Sequence, residues 1–284
     1  MPTFTTYDGT ELAYHVRGDG EPLVCLPGGA MRASEYLGDL GGLTAGRRLV
    51  LLDLRGTGAS AIPADESTYR VDHQVADVEA LRVHLGLERV DLLAHSAGGN
   101  LAQLYAAGRP ERIRRMVLVT PTAWAVDLPV TPEDRMEAAR LRAGREPYDS
   151  AIEAYGRILA DGGGGSDADW ELAAPLFYGR WDETARAHCA ANARQQNEKA
   201  ADAYAGAGAF DPAVTRAGLR RVAGEVLVLA GELDGNPRPA LAAGLAALFP
   251  RGVVDVQPGA GHFPWLDDGV WFAGRVEGFL ADGA

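Results

Sequence analysis

Five short runs, apolar throughout except for one aspartate, constrain the fold of this chain more than any other feature. They occupy residues 23–26 (LVCL), 49–52 (LVLL), 90–94 (VDLLA), 116–119 (MVLV) and 226–230 (VLVLA). Runs of this length, apolar at successive positions and closed by Gly, Pro or Asp, read as strands buried on both faces. Helical spacing fills intervals between them, over residues 71–85 and again at Leu101, Leu104 and Tyr105. Strands alternating with helices predict a mostly parallel α/β sheet covered by helices on both faces. Ahead of it, residues 4–7 and 11–17 alternate around Asp8-Gly9, a hairpin signal. The alternation lapses from about 122 to 216, where helical stretches (132–143, 150–159, 183–204) surround a Gly162-Gly163-Gly164-Gly165-Ser166 loop. The expected organisation is a core built from 1–121 and 217–284, interrupted by a helical cap over 122–216.

The run 90–94 passes through His95-Ser96-Ala97-Gly98-Gly99 directly into a helical pattern. A bend that tight needs small residues, and Ala94 and Gly98 lie two before and two after Ser96. This is the small-x-Ser-x-small form of a nucleophile elbow, which exposes a serine hydroxyl above the sheet. In a chain with 36 glycines the same letters also fit an ordinary glycine-rich turn. The two readings separate on whether a base and an acid follow in the right order. Asp234 comes just after the run 226–230, and His262 follows the strand-like residues 253–256, giving the order Ser96, Asp234, His262. Glu232 and Asp127 are the competing acids. A serine nucleophile also needs two oxyanion donors. The N–H of Ala97 is one, and Pro27-Gly28-Gly29-Ala30-Met31 offers Gly29 as the other. Met31 is a candidate apolar wall of the pocket, and His95 packs beside the nucleophile.

A formal charge of −12 argues against nucleic acid or an anionic membrane surface as partner. Two cysteines, Cys25 and Cys189, suggest neither a disulfide framework nor a metal cluster. The first residues show no signal-peptide pattern and no run is long enough to span a bilayer, so a cytoplasmic location is expected. No cofactor and no metal are expected. The expected partner is a small-molecule substrate, and the expected state is a monomer or homodimer.

With these residues in view, the sequence resembles the α/β-hydrolase superfamily over nearly its whole length. It is most similar to the proline iminopeptidase-like and the esterase or lactonase branches with a helical cap. The likeness rests on Leu26-Pro27-Gly28-Gly29, Asp53-Leu54-Arg55-Gly56-Thr57-Gly58, Ala94-His95-Ser96-Ala97-Gly98-Gly99, Gly231-Glu232-Leu233-Asp234 and Gly261-His262-Phe263-Pro264-Trp265. It implies a Ser-His-Asp hydrolase acting through an acyl-enzyme. Relatives commonly carry His-Gly-Gly-Pro-Gly in the oxyanion loop. Here Pro27 stands for the histidine and Ala30-Met31 for Pro-Gly, which turns the expectation from an aminopeptidase towards cleavage of an ester or lactone of a small, largely apolar molecule. An aminopeptidase would need a cap carboxylate, such as Glu153, Glu171 or Glu183, for the substrate amine. A biosynthetic acyltransferase, cyclase or carbon–carbon bond hydrolase with the same triad, and a non-catalytic small-molecule receptor, remain as alternatives.

Overall fold

The computed structural model describes residues 1–144 and 146–281; positions 145 and 282–284, which the cap and core expectations include, lie outside them. Eight strands form one sheet: β1 (Thr3–Thr5), β2 (Glu11–Arg17), β3 (Glu21–Leu26), β4 (Arg47–Leu52), β5 (Val90–His95), β6 (Ile113–Val119), β7 (Glu225–Gly231) and β8 (Gly252–Gln257). Their order is β1-β2-β4-β3-β5-β6-β7-β8. The hairpin strands β1 and β2 pair antiparallel, β2 joins β4 antiparallel, and every later pairing is parallel. Because β4 and β5 lie on opposite sides of β3, the chain reverses direction across the sheet at β3/β5. The crevice outside the strand ends at such a reversal is where ligands bind in open α/β sheets.

The apolar runs supply both faces, as their continuity requires. Val24, Leu26, Leu92, Ala94, Met116, Leu118, Val226 and Val228 belong to one buried cluster, and Leu23, Cys25, Leu93, Val117, Val119, Leu227 and Leu229 to the other. Helices α1 (Val71–His84) and α2 (Gly98–Gly108) cover the first face. The cap contributes α3 (Pro132–Arg140), α4 (Tyr148–Ala160), α5 (Asp167–Ala173), α6 (Glu183–Ala190), α7 (Asn192–Gln195) and α8 (Glu198–Tyr204). After it come α9 (Pro212–Leu219), α10 (Pro239–Ala246), α11 (Pro264–Asp267) and α12 (Gly269–Ala281), with α12 covering the second face through Phe272, Val276 and Phe279.

The cap has an apolar centre of its own, where Ala139, Tyr148, Ala151, Tyr155, Ile158 and Leu176 pack together. Three of its details differ from the sequence expectation. The stretch 183–204 is three helices rather than one: α6 and α7 part at Ala191, and α7 and α8 part where Gln196 turns extended (φ −86°, ψ 133°) and Asn197 restarts the chain as the N-cap of α8. The helix α5 was not expected; Ser166 and Asp169 form a reciprocal capping box that starts it. The boundary at 216 falls inside α9, which packs against the core helix α2. No described helix is long and apolar enough to cross a membrane.

Candidate active site

The elbow is built by three neighbouring strand ends. Leu26 at the end of β3 pairs with Ala94, and His95 pairs with Val119 of β6. Ser96 takes a left-handed backbone conformation with φ 51°, a strained geometry costing about 1–3 kcal/mol for a residue with a Cβ. Hydrogen bonds hold it there. The Ser96 N–H donates to Val119 O at 3.0 Å, while Ser96 O accepts the N–H groups of Gly99 and Thr122 at 2.9 and 3.0 Å. The small residues serve close approach: a Cβ on Gly98 would sit 2.5 Å from Pro27 O, and one on Gly28 2.6 Å from His95 O and 2.7 Å from Ser96 Cβ.

The structure brings Ser96, His262 and Asp234 together. His262 Nε2 lies 2.9 Å from Ser96 Oγ, and His262 Nδ1 lies 2.9 Å from Asp234 Oδ2. All three side chains are buried. Asp234 follows β7 and His262 follows β8, adjacent strands joined in register from Val226–Gly252 to Gly231–Gln257. The second oxygen of Asp234 accepts the N–H of Asn236 at 2.9 Å, which fixes the plane of the carboxylate. The competing acids lie elsewhere: Glu232 is exposed and accepts the Gly259 N–H, and Asp127 is exposed beyond β6.

His95 is part of a buried relay behind His262. Its Nε2 lies 2.9 Å from His262 O and its Nδ1 2.7 Å from Tyr36 Oη. A carbonyl only accepts, so Nε2 carries the proton and Nδ1 accepts from the tyrosine hydroxyl. Tyr36 Oη in turn accepts the Gly28 N–H at 2.7 Å. Full burial, with His262 alongside, holds the His95 pKa well below the usual histidine range, so the ring is neutral. The relay links Gly28 to the backbone carbonyl of His262, which also accepts Thr120 Oγ1–H at 2.9 Å. Tyr36 and Thr120 carry no local sequence signal for this role.

The two expected donors are the N–H groups of Ala97, directly after the serine, and of Gly29, directly after Gly28. Gly28 Cα faces the elbow so closely that a Cβ there would lie 3.2 Å from Ala97 N. Among the described residues, nothing accepts a hydrogen bond from either N–H. Met31 is fully enclosed, with its sulfur 3.3 Å from Gln74 Nε2, and so packs into the core next to the site. The 122–216 segment reaches His262 directly: the His262 N–H donates to Phe177 O at 2.8 Å, and Asp267 accepts the N–H groups of Gly261, Gly179 and Arg180. A small hollow beside Asp234 is lined by Arg135, Tyr155, Leu176, Phe177 and Asn236. No group of three or more potential metal ligands occurs among the described residues.

Comparison with known proteins agrees with this architecture. The family model described as alpha/beta hydrolase fold matches residues 21–268. A proline iminopeptidase of Lactiplantibacillus plantarum is 35% identical over 121 residues, a match that covers 40% of this chain and only 42% of that relative. Among solved structures, a proline iminopeptidase from Mycobacterium smegmatis superposes with a TM-score of 0.74 at 22% identity, covering 98% of this chain and 97% of that one. An esterase from Rhodococcus gives a TM-score of 0.71 at 24% identity, covering 100% of this chain and 99% of that one. At those identities the structural likeness carries the fold alone.

Proposed function

The chain belongs to the alpha/beta hydrolase fold family, and from that premise we propose that it is a serine hydrolase cleaving an ester or lactone of a small, largely apolar molecule. The observation that carries the reading is the pair of 2.9 Å contacts linking Ser96 Oγ, His262 and Asp234. In this reading Ser96 Oγ attacks the carbonyl carbon as its proton passes to His262 Nε2. The resulting oxyanion takes hydrogen bonds from the Gly29 and Ala97 N–H groups. Asp234 stabilises the imidazolium through Nδ1–H, and His262 then gives the proton to the departing alkoxide. Water, deprotonated by His262, releases the acid from the acyl-enzyme.

An aminopeptidase activity is the second reading, favoured by the names of the relatives. It needs a carboxylate within the site to hold the substrate's ammonium group, so that binding energy acts at the harder amide carbonyl. The three cap candidates, Glu153, Glu171 and Glu183, are all solvent-exposed. Asp267 is only half-buried, and its oxygens already accept three backbone N–H groups. Hydrolysis of activated short-chain esters, simple lactones and prolyl amides under one set of conditions decides the matter. Esters or lactones are expected to exceed prolyl amides in kcat/KM by at least about a hundredfold, roughly 2.7 kcal/mol of barrier. Equal or better turnover of prolyl amides refutes the esterase reading. A fluorophosphonate is expected to label Ser96, and labelling that persists in Ser96→Ala places the nucleophile elsewhere.

A further inference from the structure

The chain between α6 and α8 does more than roof the serine. Arg32 and Gln196 form an antiparallel bridge between the oxyanion loop and the cap. The Ala33 N–H donates to Gln195 O at 2.9 Å, and the Asn197 N–H donates to Met31 O at 3.1 Å. Gln196 Nε2 donates to Gly29 O at 3.0 Å and also reaches Ala30 O. Arg32 closes the arrangement from the other side, its Nε donating to Gln195 Oε1 at 2.9 Å and its Nη2 to His188 O at 3.1 Å.

The loop so held is one that needs holding. Gly29, Ala30 and Met31 take φ values of 72°, 32° and 64° in succession, and the two with a Cβ stay left-handed only while their surroundings impose it. Gln196 grips the carbonyls on either side of Ala30. Gripping them restrains ψ of Gly29 and the dihedrals of Ala30, and so the course of the loop that carries the Gly29 N–H. At the far end of the same segment, Tyr204 Oη donates to Ala97 O at 2.7 Å. Asn197 joins the two ends by capping α8 through Oδ1 while its Nδ2 donates to Gly56 O at 2.7 Å.

We infer that residues 195–204 of the cap position the oxyanion hole, Gln196 acting on the Gly29 side and Tyr204 on the Ala97 side. This inference rests on the serine-hydrolase reading and deepens it: the cap completes the site for the transition state as well as enclosing the substrate. Neither residue touches the reacting atoms, so both are positioning residues. Their loss is expected in kcat, because the oxyanion forms only after attack.

The test uses Gln196→Met, which keeps the length of the side chain and removes the donor, and Tyr204→Phe, which keeps the ring. Three quantities are measured on the full chain: kcat and KM for an activated ester, the Kd of an arylboronic acid that forms a tetrahedral adduct on Ser96, and the melting temperature. Gln196→Met is expected to lower kcat by about 10- to 100-fold and to weaken boronate binding by a similar factor, with KM within about threefold of the parent. An unchanged kcat, or a rise in KM alone, overturns the inference and leaves the segment a structural or substrate-facing wall. If Gln196→Met does not fold, Tyr204→Phe reads the same quantities, and unchanged kcat and boronate affinity there overturn it as well. Failure of the underlying reading looks different. In that case the parent itself shows no ester turnover, or Ser96→Ala binds the boronate as tightly as the parent does.

Discussion

Replacing Asp234 by Asn keeps the shape of the side chain and inverts its hydrogen-bonding capacity on one side. The structure leaves that amide two orientations. If its oxygen keeps the Asn236 N–H, now accepted at 2.9 Å, its NH2 faces His262 Nδ1, and the ring must carry its proton on Nε2. Nε2 then has no lone pair for Ser96 Oγ, 2.9 Å away. If the amide flips, its NH2 meets the Asn236 N–H, and a buried donor is left unsatisfied at about 1–3 kcal/mol. Either orientation also removes the charge that faces the imidazolium, worth about 4 kcal/mol for a pair some 4 Å apart at an effective dielectric of 20. Together these reach roughly 5 kcal/mol or more, about a 10⁴-fold loss in kcat/KM. The assay is ester hydrolysis by Asp234→Asn beside Glu232→Gln and Asp127→Asn, with melting temperatures to show that each is folded. The two controls lie on exposed carboxylates away from His262 and are expected within about threefold of the parent. A loss below about 30-fold for Asp234→Asn, or a larger one for Asp127→Asn, refutes the assignment of the acid.

Gly28→Ala is expected to cost at least about a hundredfold in kcat/KM and roughly 1–3 kcal/mol of stability. Its Cβ would press on His95 O and Ser96 Cβ at 2.6 and 2.7 Å, neither at the end of a flexible side chain; near-parental kinetics would show the elbow to be more yielding than its hydrogen bonds indicate. His188 supplies a pH effect. Burial, with Arg32 nearby, pushes its pKa from 6.5 down to about 3, so the folded protein keeps it neutral while the unfolded chain protonates it. The stability it contributes is therefore present above pH 6.5 and is lost as pH falls towards 3, with about 2 kcal/mol going between pH 7 and 5. Urea midpoints of the parent are expected to fall further over that range than those of His188→Gln, and parallel declines would contradict the linkage.

The core was legible because its signals are local and redundant. Residues buried on two faces are mostly apolar at successive positions, and β3 to β7 carry that mark in their own letters, with Asp91 of β5 held by Arg114. Ser96, Asp234 and His262 were legible for a related reason: each follows a strand, and their order along the chain reflects the order of strand ends. The positions of Tyr36, Gln196 and Tyr204 were not legible, because their partners are remote. Gln196 is 167 positions from Gly29 and Tyr204 is 107 from Ala97, and neither has a neighbour in sequence that betrays the contact. The same tertiary pull explains the miscounted cap helices. The stretch 183–204 has helical composition throughout, but pairing with Arg32 draws Gln196 into an extended conformation. Helix α5 is a different case, since Ser166-Asp167-Ala168-Asp169 is a readable start signal that its glycine-rich surroundings masked.

The cap leaves the sheet after β6 and the chain returns at β7, and those strands are neighbours: Val119 pairs with Leu229, and the Thr120 N–H donates to Leu229 O at 2.7 Å. An insertion whose two ends meet is, for the sheet, an interchangeable part. Recombination or design can exchange it for a longer, shorter or unrelated cap without altering a single strand pairing. The bridge between Arg32 and Gln196 removes that freedom at one point, since a foreign cap arrives without the residues that hold positions 29–31. Inheritance should then treat the oxyanion loop and residues 195–197 as one unit, varying together across lineages although they stand far apart in the chain. An engineer seeking a new substrate range from this scaffold would do well to move both pieces in the same step.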